Sequence, residues 1–342
     1  MNRTLALAAL ILSAASVEAS AASVILALNK GDNTLAVVDA ATLQVKGRIP
    51  SGPDPHEVIA SADGRTAYIS NYQQSGPGML TVADIVGMKN LAPADLGALT
   101  RPHGLTLAGG KIYFTAEGAK VIGRYDPATS KIDWVLGTGQ NRTHMVIVSK
   151  DGKQIYTSNV ASASVCIIEQ VAGGRGPGGR GPGPGRGRGP GAPDWNVSVI
   201  PVGRGAEGFD VSPDGKEIWA ANAQDASVSV IDIAAKKVVQ TIPVPFRSAN
   251  RLKFTQDGKL VLISDLGGND LYILNAATHA EVKRIDLGGG AAGILMDPNG
   301  ERAFVSVGPK NSVAVIDLKE LKIARRVETG PGPDGLAWAE VR

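Results

Sequence analysis

The chain has 342 residues with 43 glycines and 20 prolines, yet 43% are hydrophobic, which is apolar enough to bury a core and excludes a chain disordered throughout. The net charge of +3 is concentrated: residues 173–193 carry four arginines and no acid, leaving the rest at −1, so no large basic surface for nucleic acid is expected. A single cysteine, Cys166, excludes an intramolecular disulfide and reads as a small buried strand residue.

The first segment reads as an export signal. Arg3 supplies the positive end, Leu5 to Val17 is apolar or small, and Ala19-Ser20-Ala21 offers small residues for cleavage near Ala21. The apolar run is shorter than the ~20 residues of a spanning helix. No later run is long enough to span, so a soluble periplasmic or secreted mature chain is expected from residue 22.

SVILALNKGDNTLAVVDAATLQVKGRIPSG follows and reads as three strands. One phrase then recurs: HEVIASADGRTAYISN, HGLTLAGGKIYFTAE, HMVIVSKDGKQIYTSN, EGFDVSPDGKEIWAAN, NRLKFTQDGKLVLISD and AGILMDPNGERAFVSV. A half-copy, DGLAWAEVR, ends the chain. Start-to-start spacings are 47, 41, 63, 43, 42 and 42, and the long one contains the 21-residue tract 173–193. A period near 42 made of strand-sized pieces signals a propeller.

Within a repeat, Gly208 to Ser212 gives strand a, and Pro213-Asp214-Gly215 gives the turn. Glu217 to Ala221 gives strand b, the alternating Ser227 to Ile233 strand c, and Val238 to Val244 strand d. The tract 173–193 holds 11 Gly, 5 Pro and 4 Arg and cannot offset its ordering entropy by burial. It is expected to be a disordered loop inserted between strands c and d of the third blade.

Six whole copies and two end fragments make seven blades. The expected fold is therefore all-β: a seven-bladed β-propeller of four-stranded antiparallel blades over 22–342. Its last blade is closed by N-terminal strands b, c and d plus C-terminal strand a, which protects the sheet edges. The phrases PHGLTLAGGKIYFT, SPDGKEIWAAN and SVSVIDIAAKKVVQTIPV resemble the YVTN-repeat, YncE-like, seven-bladed propeller family over nearly all of the mature chain. The resemblance implies the fold; the architecture serves binding modules and enzymes alike.

In such a ring, equivalent positions converge at the channel mouth. The position before strand a reads His56, His103, His144, Glu207, Asn250, Ala292 and Asp334, placing three of four histidines on consecutive blades. Two residues earlier stand Asp54, Arg101 and Arg142, which an extended segment would project the same way. The ends of strand b add Asn71, Tyr72, Glu117, Asn159, Asn222 and Asp265, giving a polar cup. Hydrated lining alone satisfies such a ring. His56, His103, His144 and Glu117 offer ligand types for Zn or Cu, with Glu207 as an alternative. Arg101 and Arg142 suit a small anionic ligand. His279 falls in a c–d turn away from this face.

The leading expectation is an exported binding or interaction module, a monomer whose ligand or protein partner sits at the mouth. The alternatives are a metal-dependent lactonase- or lyase-type propeller enzyme, in which a histidine of the arc acts as acid or base, and a periplasmic metal-binding protein. Walker, nucleophile-elbow, HExxH and CxxCH motifs are absent from the sequence.

Overall fold

The computed structural model describes residues 22–172 and 194–342. The proposed signal at 1–21 and the tract 173–193 lie outside the described residues.

Seven antiparallel sheets form seven blades. Six are consecutive in sequence, starting from strands a at Pro55–Ala60, Pro102–Ala108, Thr143–Val148, Ala206–Val211, Ala249–Phe254 and Ala291–Met296. The seventh joins the chain ends. Strand a, Pro333–Val341, pairs antiparallel with Ala22–Asn29, which continues to Thr34–Asp39 and Val45–Pro50. Neighbouring a strands touch in a closed cycle, first to second and so on round, and seventh back to first. Closure thus follows the expected division. In the first blade the outer strand is split, and Lys89–Asn90 and Ala94–Gly97 both pair with Gly78–Asp84.

The blades interlock through apolar strand faces, which is why strands b and c are nearly continuous runs of buried Val, Ile, Leu and Ala. One cluster joins Trp219, Val228 and Val230 of the fourth blade to Leu252, Val261 and Ile263 of the fifth. Another spans the closure, packing Leu26, Leu28 and Val37 of the seventh blade against Val58 and Ile69 of the first.

One feature of strand a positions the site. Its first residue pairs with the end of strand b, as in Pro55↔Asn71 and Thr143↔Asn159. The next regular pair is Val58↔Ile69 or Val146↔Thr157, so the second and third residues bulge. A hydroxyl on strand b takes up the bulge. Thr115 Oγ1 accepts from Gly104 N at 2.9 Å and donates to His144 O of the next blade at 2.7 Å. Ser158 Oγ donates likewise to Glu207 O, Ser264 Oγ to Ala292 O and Ser306 Oγ to Asp334 O, each at 2.7 Å.

The residues expected just before strand a are therefore its second residues, inside the bulge. The strands start earlier than apolar alternation suggests, because the bulge interrupts that alternation without ending the pairing.

Candidate functional site

His56, His103, His144, Glu207, Asn250 and Asp334 all line one cavity of about 410 Å³ at the channel mouth, with Lys30, Tyr72, Arg142 and Arg251. Leu266, Ala292, Pro309 and Pro333 supply apolar lining from other blades. Arg101 and Glu117, also expected in the site, stand behind this lining. Glu117 contacts Tyr72 Oη, Arg101 and Arg142, and its Oε1 lies 2.6 Å from His144 Nδ1.

The three imidazoles make a row. His103 stacks on His144 with ring centroids 3.6 Å apart, and His103 Nε2 lies 3.1 Å from His56 Nδ1. His56 Nε2 lies 2.8 Å from Lys30 Nζ and 3.0 Å from Asp54 Oδ1. Lys30 reaches Asp334 at 3.5 Å.

Their protonation differs with their neighbours. Burial pushes His144 down, but the Glu117 and Glu207 carboxylates outweigh it and hold its pKa above the ordinary value. His103 is driven well below it by burial and by the charges of His144 and His56. His56 falls to about 4 through burial and the Lys30 ammonium, against Asp334 and Asp54. Burial alone would raise Glu207, yet the His144 hydrogen bond and nearby positive charges bring it to about 2. Burial and Glu117 push Tyr72 up to about 12. The site thus sets His144, whose charged form two carboxylates favour, beside His103, whose neutral form burial favours.

The expected metal set, His56, His103, His144 and Glu117, is not assembled. His103 and His144 present stacked faces, and His144 Nδ1 is engaged by Glu117. Among the described residues no group of three or more His, Cys, Asp or Glu is placed to hold a metal ion.

The rest of the cup divides. Asn71, Asn159, Asn222 and Asp265 turn away and latch the backbone or hydroxyls of their own blades; Asn71 Nδ2 donates to Ser51 O, and Asp265 accepts from Arg247 N and Ser248 N. Tyr72 and Glu117 occupy the next position along, after strand b, and it is that position which faces the site. Asp54, Arg101 and Arg142 are not extended as expected. Their φ values of 47°, 56° and 52° are left-handed, and the equivalent residues of two other blades are Gly205 and Gly332. A side chain there costs about 1–2 kcal/mol. Each carbonyl still accepts from the residue after strand b: Asp54 O from Tyr72 N, Arg101 O from Glu117 N and Arg142 O from Val160 N. His279 lies in its c–d turn as expected, with its ring 5.2 Å from that of Trp219.

Sequence reasoning missed Lys30, Glu57 and Arg251. Lys30 follows strand b of the closing blade, so it is the equivalent of Tyr72 and Glu117. Glu57 and Arg251 are third residues of their strands and form a buried ion pair across the channel. Arg251 lines both the mouth cavity and a second one further along the channel, which Glu57 also lines. Three buried polar atoms among the described residues have no hydrogen-bond partner and belong to residues lining the mouth cavity: His103 Nδ1, Asn250 Oδ1 and His144 Nε2, the last standing 3.5 Å from Glu207 Oε1. The Asn250 amide is oriented by Nδ2 donating to Glu207 Oε1 at 2.8 Å.

No family model matches the sequence, and no curated protein matches it. Solved structures share the fold at low identity. A putative 6-phosphogluconolactonase from Bacteroides uniformis superposes with a TM-score of 0.71 at 14% identity, covering 94% of this chain and 100% of that one. The periplasmic gluconolactonase of Pseudomonas aeruginosa gives 0.69 at 16%, covering 94% and 99%. Kuenenia stuttgartiensis hydrazine synthase gives 0.65 at 20%, covering 83% and 89%.

Proposed function

We propose that this propeller is an exported binding protein for a small polar molecule, taken into the channel mouth between the histidine row and Asn250. One observation carries the reading: among the described residues His103 Nδ1, His144 Nε2 and Asn250 Oδ1 are buried without hydrogen-bond partners beside a cavity of about 410 Å³. An unmet buried polar atom costs about 1–3 kcal/mol, which a ligand supplying the missing hydrogen bonds would recover. The volume suits a compact molecule rather than a protein segment.

Balanced charge favours a neutral or weakly charged ligand over the anion expected from Arg101 and Arg142. Both guanidinium groups face Glu117, Arg251 faces Glu57, and Lys30 lies near Asp54 and Asp334. Export is supported by the leader-like N-terminus, with small residues for cleavage near Ala21. N-terminal sequencing of protein from the export compartment is expected to start there, and a retained leader would count against export.

The test of the site is thermal unfolding with a panel of sugars, polyols and sugar acids. A ligand at 100 times its Kd adds about 2.7 kcal/mol of stability. That gain should vanish in Asn250→Ala and His103→Ala. No stabilising compound, or stabilisation untouched by both variants, would overturn the reading.

A second reading, hydrolysis of a lactone, is favoured by the neutral His103 beside the cavity and by the shared fold with proteins named as lactonases. It requires opening of glucono-1,5-lactone above the spontaneous rate, lost in His103→Ala.

A further inference from the structure

His56 Nε2 has both a donor and an acceptor within reach: the Lys30 ammonium at 2.8 Å, which also stands 3.4 Å from Nδ1 over the ring, and the Asp54 carboxylate at 3.0 Å. Both neutral tautomers of His56 are therefore hydrogen-bonded. If Lys30 donates to Nε2, the proton of His56 sits on Nδ1 and is given to His103 Nε2, so His103 Nδ1 carries the proton of that ring. If Nε2 carries the proton and gives it to Asp54, Nδ1 accepts from His103 Nε2, and His103 Nδ1 offers a lone pair instead. The 3.1 Å contact between the rings locks the two choices together.

Resting on the binding site proposed above, we propose that Lys30, Asp54, His56 and His103 form a proton relay whose working end, His103 Nδ1, takes a proton from a bound hydroxylated small molecule and returns one to it. In the taking direction a substrate O–H gives its proton to His103 Nδ1. The Nε2 proton of His103 passes to His56 Nδ1, and the Nε2 proton of His56 passes to Asp54. In the returning direction Lys30 gives a proton to His56 Nε2, His56 Nδ1 gives one to His103 Nε2, and His103 Nδ1 gives one to the substrate oxygen. Asp54, now protonated, restores Lys30, whose Nζ stands 3.8 Å from Asp54 Oδ1. Protons balance over the cycle and nothing is oxidised or reduced.

Three further observations fit this assignment. His103 is 2% exposed and lines the cavity, and among the described residues its Nδ1 has no hydrogen-bond partner. Asp54 holds its place in a left-handed conformation, as Arg101 and Arg142 do at the equivalent position, which two other blades fill with Gly205 and Gly332. The other groups around the row fix positive charge elsewhere: His144, stacked on His103, is held by Glu117 and Glu207, and the Tyr72 ring closes over His56 at 4.8 Å. The ligand class follows from the acceptors. Asn250 Oδ1 can only accept, and His103 Nδ1 accepts at the start of the cycle, so the ligand presents two donors, as a polyol or sugar does.

The relay is testable without knowing the ligand. The chain has four histidines, so nitrogen-15 labelled histidine spectra can be assigned by single substitutions and report which ring nitrogens carry protons. Lys30→Met leaves Asp54 alone and should shift His103 toward the form with Nδ1 bare. Asp54→Gly, a residue the left-handed position accepts, leaves Lys30 alone and should shift it toward Nδ1–H. Opposite shifts in two folded variants support the relay, and His103 unchanged in both overturns it. Adding D-glucose, glycerol or D-gluconate to the wild type tests the underlying site separately. If none moves the His103 signals, the hydroxylated-ligand assignment falls, whatever the variants show about tautomers.

Discussion

His144 and His56 stand at the two ends of one row, with His103 between them, and their surroundings give them opposite relations to pH. His56 titrates near 6.5 when unfolded and near 4 when folded, so acid favours the unfolded chain. Folding loses stability as pH falls below 6.5, by up to about 3 kcal/mol once below about 4. His103 is depressed too and adds to the loss. His144 runs the other way: its raised pKa contributes stability that is complete below 6.5 and fades as pH rises through the folded value. Glu207, lowered to about 2, contributes stability present above 4.5 and lost as pH drops toward 2. The expected outcome is a melting temperature that falls between about pH 6.5 and about 4 in the wild type, and falls less in His56→Gln. An identical pH profile for the two would count against a buried neutral His56. Glu117→Ala should cost about 3–5 kcal/mol in chemical denaturation, because it takes from the buried His144 its nearest carboxylate.

At the scale of the strand, the bulge decides both what the site contains and how much of it the sequence revealed. The histidines were legible because repeat equivalence needs no local geometry: His56, His103 and His144 share a position whatever the strand does there. Glu57 and Arg251 were not, because alternation places a third residue on the face opposite the second, whereas the bulge lets both reach the channel. The same feature turned Asp54, Arg101 and Arg142 into left-handed residues where an extended run was expected. Lys30 was hidden differently. It lies in a terminal fragment that joins the cup only when the ring closes. The bulge rests on its hydroxyl: Thr115 satisfies Gly104 N on its own blade and His144 O on the next. Thr115→Val keeps the shape and removes both bonds. Unfolding in urea should show a loss of about 2 kcal/mol or more, with two buried groups left unpaired. Gly293→Ala tests the other constraint at this level, since an added Cβ would stand 2.2 Å from Asp334 O of the neighbouring strand. Overpacking of this kind costs about 1–3 kcal/mol. A neutral result would mean that the inner strands can separate, which the short interblade hydroxyl bonds oppose.

Over the whole molecule, the decisive contact is the one between the chain's two ends. Ala22–Asn29 has Thr34–Asp39 on one side and Pro333–Val341 on the other. Removing 333–342 would strip this strand of a neighbour and open the ring between the sixth and first blades. It would also take away Asp334 and expose the edge of an apolar strand, a template for association. That truncation should aggregate or lose cooperative unfolding. Topology, however, does not require the ends to be where they are. Ala22 pairs with Val341, so a short turn can join Arg342 to Ala22 as the a–b turns join those strands in other blades. New ends can be placed at the tract 173–193, whose flanking residues Val171 and Asp194 pair with each other. A permuted chain built this way keeps every described strand pair, and its melting temperature should stay within a few degrees of the parent's. If the permuted chain fails while the parent carrying Asn-Gly in place of 173–193 folds normally, then the closing blade depends on its ends being free. If both fold, the stability of the ring resides in its strand pairing and interblade packing, independent of where the chain is cut.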